Sequence, residues 1–140
     1  MIYLLSSQAL VDLLTGDPRM VKWIEDKPLQ MIEVSAISIG QAMALIDAQA
    51  DPGLRKELSE ELDKLLLWLR RFQATVPFDD SAARTWATLM KMPNLMFDDA
   101  NELSPEGRMV VAVALTRNAV LIDAPRPYHG DIPSLTVQSP

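Results

Sequence analysis

Short apolar runs alternate along the chain with longer segments in which apolar residues recur every three or four positions. The longer segments predict amphipathic helices. The short runs predict strands at residues 2–5, 31–36, 74–78 and 119–122, with a short fifth strand at 134–137. Because strands that alternate with helices favour a parallel sheet, the pattern predicts a single α/β domain over residues 1–140. We expect three α/β/α layers around a parallel sheet of four or five strands.

Capping residues mark where the helices begin. Asp17-Pro18 and Asp51-Pro52 combine a side-chain acceptor with a proline in the first turn. Ser38 and Gln41 have the spacing of a capping box, which predicts a helix that begins there and runs to about residue 50. Further helix starts are predicted at Ser6-Ser7, Asp79 and Ser104-Pro105-Glu106. A leucine stripe over residues 54–72 predicts one long amphipathic helix.

Composition narrows the class of protein. The chain has 140 residues, of which 49% are hydrophobic and none is cysteine, so disulfides, thiol nucleophiles and cysteine metal sites are excluded. The sequence shows neither a signal peptide nor an apolar run of the roughly 20 residues that a bilayer span needs, so we expect a cytoplasmic protein with no membrane segment. A net charge of −6 disfavours RNA or DNA binding, which depends on basic groups.

In a parallel sheet the functional crevice lies beyond the carboxyl ends of the strands. The residues that follow the predicted strands or begin the next helices are the candidates for a site. They are Ser6, Ser7, Ser38, Gln41, residues 104–107 and residues 123–125.

Four segments of the chain, in order, resemble those of one known family. The opening I-Y-L-L-S-S-Q-A-L is similar to I-Y-L-L-D-T-N-V-L, and V-S-A-I-S-I-G-Q at 34–41 is similar to V-S-A-I-S-I-A-E. V-P-F-D at 76–79 resembles L-P-F-D, and M-V-V-A-V-A-L at 109–115 resembles L-I-A-A-T-A-L. The counterparts are segments of PIN-domain proteins of the VapC toxin type. The resemblance covers nearly the whole chain and implies a PIN-like fold.

PIN domains are metal-dependent ribonucleases, so the resemblance implies an Mg²⁺ or Mn²⁺ site made of four acidic positions. Those positions fall here on Ser6, Gln41, Gly107 and Pro125, and the residue beside the first is Ser7. Hard divalent cations prefer carboxylate oxygens, which none of these residues supplies. The resemblance together with these losses predicts a vestigial pocket with no metal, no cofactor and no catalytic residue. We therefore expect a degenerate, non-catalytic PIN-domain protein that acts through protein–protein interaction.

The alternative is a metal-dependent ribonuclease toxin that uses displaced acidic residues. Glu106 and Asp123 flank the lost positions and, with Asp99 or Glu102, are the candidates for a shifted metal site. Simpler roles are available, because Glu106 in the first turn of a helix stabilises the helix dipole. Asp123 then begins a turn, and Gln41 belongs to the capping box.

Partners are implied by the resemblance alone. VapC-type toxins form homodimers and are bound by an antitoxin whose C-terminal segment places a basic residue in the acidic site. The resemblance implies a homodimer, with a contact surface near residues 65–68, and an antitoxin-like or other protein partner. Without the acids that basic residue has no anchor, and a structural subunit of a larger complex stays open as a further role. His129, the single histidine, is expected at the surface with no catalytic role.

Overall fold

The computed structural model describes residues 1–92 and 104–140. In these ranges the strands are β1 (Tyr3–Leu5), β2 (Ile32–Ser35), β3 (Thr75–Val76), β4 (Val120–Ile122) and β5 (Thr136–Gln138). The α-helices are α1 (Ser7–Thr15), α2 (Pro18–Glu25), α3 (Ala36–Asp47), α4 (Pro52–Arg71), α5 (Asp80–Met90) and α6 (Pro105–Thr116). Short 3-10 helices lie at Leu29–Met31 and Pro127–Asp131. None of the helices described here combines the length and apolarity that a bilayer span needs.

The strands form one sheet in the order β3-β2-β1-β4-β5, with every neighbouring pair parallel. This confirms the predicted α/β fold with a central parallel sheet. Strand β1 lies at the centre, and Leu5 is paired with Val34 on one side and Ile122 on the other. The chain order reverses at this strand, which makes the carboxyl ends of β1 and β4 the switch point where ligand crevices of such sheets form.

Alternate residues of the central strand face two separate cores. Leu4 packs with Leu89 and Val111, from α5 and α6, on one face of the sheet. Leu5 packs with Leu10 and Leu69, from α1 and α4, on the other face. Since successive side chains of a strand point to opposite faces, the fully apolar β1 is the expected sequence for a strand covered on both sides.

The capping signals were predicted correctly at most helix starts. Ser6, Asp17, Asp51, Asp79 and Ser104 each accept a backbone N–H of the helix that follows. These bonds satisfy donors that would otherwise have no partner at the first turn.

The prediction of a capping box at Ser38 and Gln41 was wrong. Helix α3 begins at Ala36, directly after β2, and its cap is Ser35, whose Oγ accepts from the Ile37 N–H at 3.1 Å. Two serines three positions apart offer alternative caps, and use of the earlier one places Ile39, Ala42 and Ile46 on the buried side of the helix. Ser38 is fully buried inside the helix.

Two strand boundaries also differ from the expected ones. Strand β3 covers only Thr75–Val76 rather than 74–78, because Pro77 has no N–H to continue the ladder. Strand β5 is Thr136–Gln138 rather than 134–137, since Ser134 adopts a left-handed conformation with φ of 65° and ends the preceding turn. The predicted loop over residues 92–103 falls almost entirely outside the described residues.

Candidate functional site at the carboxyl ends of the central strands

Ser6 and Asp123 are the first residues after β1 and β4, and both are buried. The parallel pairing of Leu5 with Ile122 places them side by side, and the Ser6 N–H donates to the Ile122 carbonyl at 2.9 Å. The Ser6 hydroxyl donates to Asp123 Oδ1 at 2.9 Å and accepts from the Ala9 N–H at 3.0 Å. Ser6 is 7% exposed and Asp123 6% exposed, so this hydroxyl is committed to contacts within the protein.

The second carboxylate oxygen of Asp123 faces the guanidinium of Arg126 and the ring of His129. His129 Nε2 lies 3.3 Å from Asp123 Oδ2, and Arg126 Nε lies 3.9 Å from the same oxygen. Neither nitrogen makes an aligned hydrogen bond, so both contacts are electrostatic. His129 Nδ1 accepts the Arg126 N–H at 3.3 Å, which leaves Nε2 as the protonated nitrogen of the neutral ring.

The expected surface position of His129 was therefore wrong. The side chain is 11% exposed, because the 3-10 helix Pro127–Asp131 folds back over the end of β4. Sequence reasoning missed both Arg126 and His129 as neighbours of Asp123. The usable signal was that two basic residues, Arg126 and His129, follow within six positions of Asp123, the residue after a buried strand.

Tyr128 lies beside this cluster, with its ring 4.9 Å from the His129 ring at an interplanar angle of 82°. Burial and the negative charge of Asp123 raise the pKa of Tyr128 to about 12, against a smaller opposing effect of Arg126. The phenol is therefore a neutral hydroxyl at ordinary pH and reports on the charge of Asp123.

A second group of polar side chains connects α1 to α3. The Ser7 hydroxyl lies 3.2 Å from the Ser38 hydroxyl and donates a short hydrogen bond to Gln41 Oε1. The Gln41 amide is thus oriented toward α1, which is the contact that replaces its expected capping-box role. Its carbonyl oxygen is occupied by Ser7.

A groove runs between α1 and α3, and we call it the α1–α3 groove. Its volume is about 440 Å³, and its lining is Ser7, Gln8, Val11, Gln41, Ala44, Leu45 and Glu106. Val11 and Leu45 also border a smaller, more enclosed apolar cavity of about 50 Å³ between Leu14, Ala42, Ile46 and Leu58. The groove therefore has a polar end, at Ser7 and Gln41, and an apolar end, at Val11 and Leu45.

The two candidate displaced acids line different cavities. Glu106 is exposed at the polar end of the α1–α3 groove. Asp123 borders a separate cavity of about 60 Å³ together with Pro125, Asp12 and Arg19. The other two acids considered for a displaced site, Asp99 and Glu102, lie outside the described residues.

Gly107 and Pro125 contribute no side-chain oxygen to either cavity. The Gly107 N–H donates to the Ser104 hydroxyl at 3.0 Å as part of the helix cap. Pro125 is exposed at the surface.

The residues present do not fit an Mg²⁺ or Mn²⁺ site. Such ions take several oxygen ligands and usually at least one or two carboxylates. Ser6 is hydrogen-bonded to Asp123, Ser7 is hydrogen-bonded to Gln41, and the Asp123 carboxylate already faces Arg126 and His129. Within residues 1–92 and 104–140, no three histidine, aspartate or glutamate side chains are grouped as metal ligands.

Comparison with known proteins shows the fold. No family model matches the sequence, and no curated protein matches it either. Solved structures do match. VapBC2 from Rickettsia felis, bound to a DNA fragment from its promoter, is 16% identical over 99% of this chain and 98% of that chain, with a TM-score of 0.75. FitAcB from Neisseria gonorrhoeae is 18% identical over 97% of this chain and 96% of that chain, with a TM-score of 0.77.

A toxin–antitoxin complex from Klebsiella pneumoniae is 18% identical over 96% of this chain and 95% of that chain, with a TM-score of 0.66. The match extends over nearly the full length of both chains in each case, so it includes the sheet, its helices and the strand ends that hold Ser6 and Asp123. The chain has the PIN-domain fold of VapC-like proteins.

Proposed function

We propose that this chain is a non-catalytic PIN-fold protein that acts by binding a protein partner of the antitoxin type in the α1–α3 groove. The observation that carries the proposal is the internal bonding of the strand-end polar groups. Ser6 and Ser7 direct their hydroxyls to Asp123 and Gln41, so these side chains stabilise the fold. Metal-dependent ribonuclease chemistry at this edge of the sheet needs clustered carboxylates that hold a metal ion, which in turn activates water.

The proposal includes the absence of an Mg²⁺ or Mn²⁺ cofactor. A divalent cation at the switch point would have to displace the Ser6–Asp123 hydrogen bond and approach the Arg126 guanidinium. Both changes oppose binding, because breaking a buried hydrogen bond costs free energy and like charges repel. The acidic net charge of −6 further disfavours RNA as a ligand.

The α1–α3 groove has the properties of a peptide-binding surface. Leu45 lines the groove together with Val11 and Ala44 and is 51% exposed, so an apolar side chain borders the groove without cover from this chain. Glu106 supplies a negative charge at the polar end. A segment with apolar side chains spaced along a helix and one basic residue near its end complements this surface. The matched structures include a toxin–antitoxin complex, which supports a partner of that class.

The experiment compares capture of cellular proteins by three forms of the purified, tagged chain. Leu45→Asp places a charge in the groove, whereas Leu29→Asp places the same charge at an exposed leucine of the 3-10 helix that precedes β2. We expect a stoichiometric partner with wild type and Leu29→Asp, and its loss with Leu45→Asp. The captured protein is then purified and titrated against all three forms by calorimetry. Equal affinity for the three forms would exclude the groove.

The nuclease alternative has a separate test. If displaced acids support catalysis, Glu106→Ala or Asp123→Ala abolishes Mn²⁺-dependent cleavage of RNA by the purified chain. We expect no such cleavage in wild type. Manganese-dependent cleavage that disappears with either substitution would establish the alternative.

A further inference from the structure

We propose that Arg126 and His129 form an internal charge clamp with Asp123, which compensates the buried carboxylate and holds residues 126–138 on the end of the central sheet. The charge clamp is defined as the side chains of Ser6, Asp123, Arg126 and His129. The inference rests on the proposed absence of a metal at this edge, and it assigns the compensating positive charge to the chain itself.

The need for compensation follows from the position of Asp123. The carboxylate is 6% exposed at the end of an apolar strand, and a buried charge is tolerated only where it is paired and hydrogen-bonded. Ser6 supplies one hydrogen bond to Oδ1. A neutral hydroxyl does not balance a charge, so the Arg126 guanidinium that faces Oδ2 supplies the compensating positive charge, and the His129 ring directs its Nε2–H toward the same oxygen.

The side chains of Arg126 and His129 are held in place by the backbone around them. The Arg126 N–H donates to His129 Nδ1, and this bond fixes the ring with Nε2 directed at Asp123 Oδ2, 3.3 Å away. The same bond joins both ends of the turn, because Arg126 precedes the 3-10 helix Pro127–Asp131 and His129 lies within it. Arg126 adds a permanent positive charge at 3.9 Å.

Backbone contacts connect the charge clamp to the C-terminal strand. The Asp123 N–H donates to the Gln138 carbonyl at 3.2 Å, and the Asp123 carbonyl accepts from the Ser139 hydroxyl at 3.0 Å. Strand β5 has no buried residue of its own, since its pattern is exposed, intermediate, exposed. The strand is held by its pairing with β4, by Val137 on the core and by these two backbone contacts of Asp123, whose side chain meanwhile faces Arg126 and His129.

Other charged groups near Asp123 do not replace the clamp. Asp12, Asp17 and Arg19 line the same small cavity. Arg19 is 81% exposed and lies 3.8 Å from Asp17, so its charge is directed at a different carboxylate. Among the described ion pairs, those of Asp123 are formed with Arg126 and His129.

The test is a double-mutant cycle on the whole chain in buffer with chelator, so that no metal contributes. His129→Ala and Arg126→Ala are measured alone and in combination with Asp123→Asn by urea unfolding. We expect each single substitution to lower the folded-to-unfolded ratio by about tenfold, and by less than about threefold when Asp123 is already Asn. Additive losses would overturn the clamp. Lys64→Ala, which removes a cation from an exposed pair with Glu61, is the control and should be additive with Asp123→Asn.

Hydrogen exchange provides a second measurement that needs no Asp123 variant. His129→Ala should increase exchange in residues 126–138 at least about tenfold while exchange in α4 stays as in wild type. Unchanged exchange in residues 126–138 would contradict the clamp even if the Asp123 variants were too unstable for the unfolding cycle. Metal binding is measured separately by titration, so a metal site would defeat the proposed function without altering the coupling that the cycle measures in chelator.

Discussion

The hydroxyl of Ser6 donates to the carboxylate of Asp123 at 2.9 Å across the ends of β1 and β4, although 117 positions separate the two residues in sequence. The same Ser6 oxygen caps α1 through the Ala9 N–H. One buried side chain therefore joins a helix start to the neighbouring strand end. The resemblance to nuclease domains places an acid at this position, where this chain has a serine that makes an internal contact.

Replacement of Ser6 by alanine should cost more stability than loss of an ordinary helix cap. Ser6→Ala removes the cap of α1 and leaves Asp123 Oδ1 without its donor, so we expect a loss of about 2–4 kcal/mol in the free energy of unfolding. Ser104→Ala, which removes only the cap bond to the Gly107 N–H, should cost about 1 kcal/mol. Urea denaturation measures both, and equal losses would mean that the Ser6–Asp123 bond contributes nothing.

Two leucines near the end of α4 lie on different sides of the helix, one buried and one exposed. Leu69 is fully buried, so Leu69→Ala should reduce the free energy of unfolding by about 2–5 kcal/mol. Leu67 is 67% exposed, and Leu67→Ala should change the free energy of unfolding by less than about 0.5 kcal/mol. The homodimer contact expected near residues 65–68 stays a prediction. A loss at Leu67 that grows with protein concentration would indicate such a contact and contradict the small effect expected for a monomer.

The ionisation of Tyr128 reports on the charge clamp. Burial first, and the Asp123 charge second, raise its pKa from 10.0 to about 12. Because the folded state holds this proton more tightly than the unfolded chain, the associated stability is present below pH 10 and is lost as pH rises toward 12. Phenolate absorbance, with Tyr128→Phe as the reference, gives the midpoint. Asp123→Asn should lower this midpoint pH. An unchanged midpoint would show that the Asp123 charge does not contribute to the raised pKa of Tyr128.

Much of the fold was predictable because its signals are local. Asp17-Pro18, Asp51-Pro52 and Asp79 begin helices for reasons contained within a few residues, and apolar runs marked the central strands. The capping box failed because Ser35 and Ser38 are equivalent by local rules, and only packing of α3 on the sheet selects between them.

The candidate site was predicted in part. The resemblance selected Ser6, Ser7 and Gln41, and the structure brings Ser7 and Gln41 into direct contact. The role of Asp123 was missed because it depends on the pairing of β1 with β4. Arg126 and His129 were missed for a similar reason. Their contact with Asp123 requires the fold-back of Pro127–Asp131, which no periodic pattern encodes.

The central claim is that the strand-end site of this PIN-fold chain is not a metal centre. The most direct test is a calorimetric titration of the purified, chelator-treated protein with Mn²⁺, beside a variant that carries Ser6→Asp, Gln41→Glu and Gly107→Asp. We predict no saturable heat for wild type up to millimolar metal, and a gain of binding in the variant if it folds. A stoichiometric wild-type site of micromolar affinity would contradict the claim and restore the nuclease alternative.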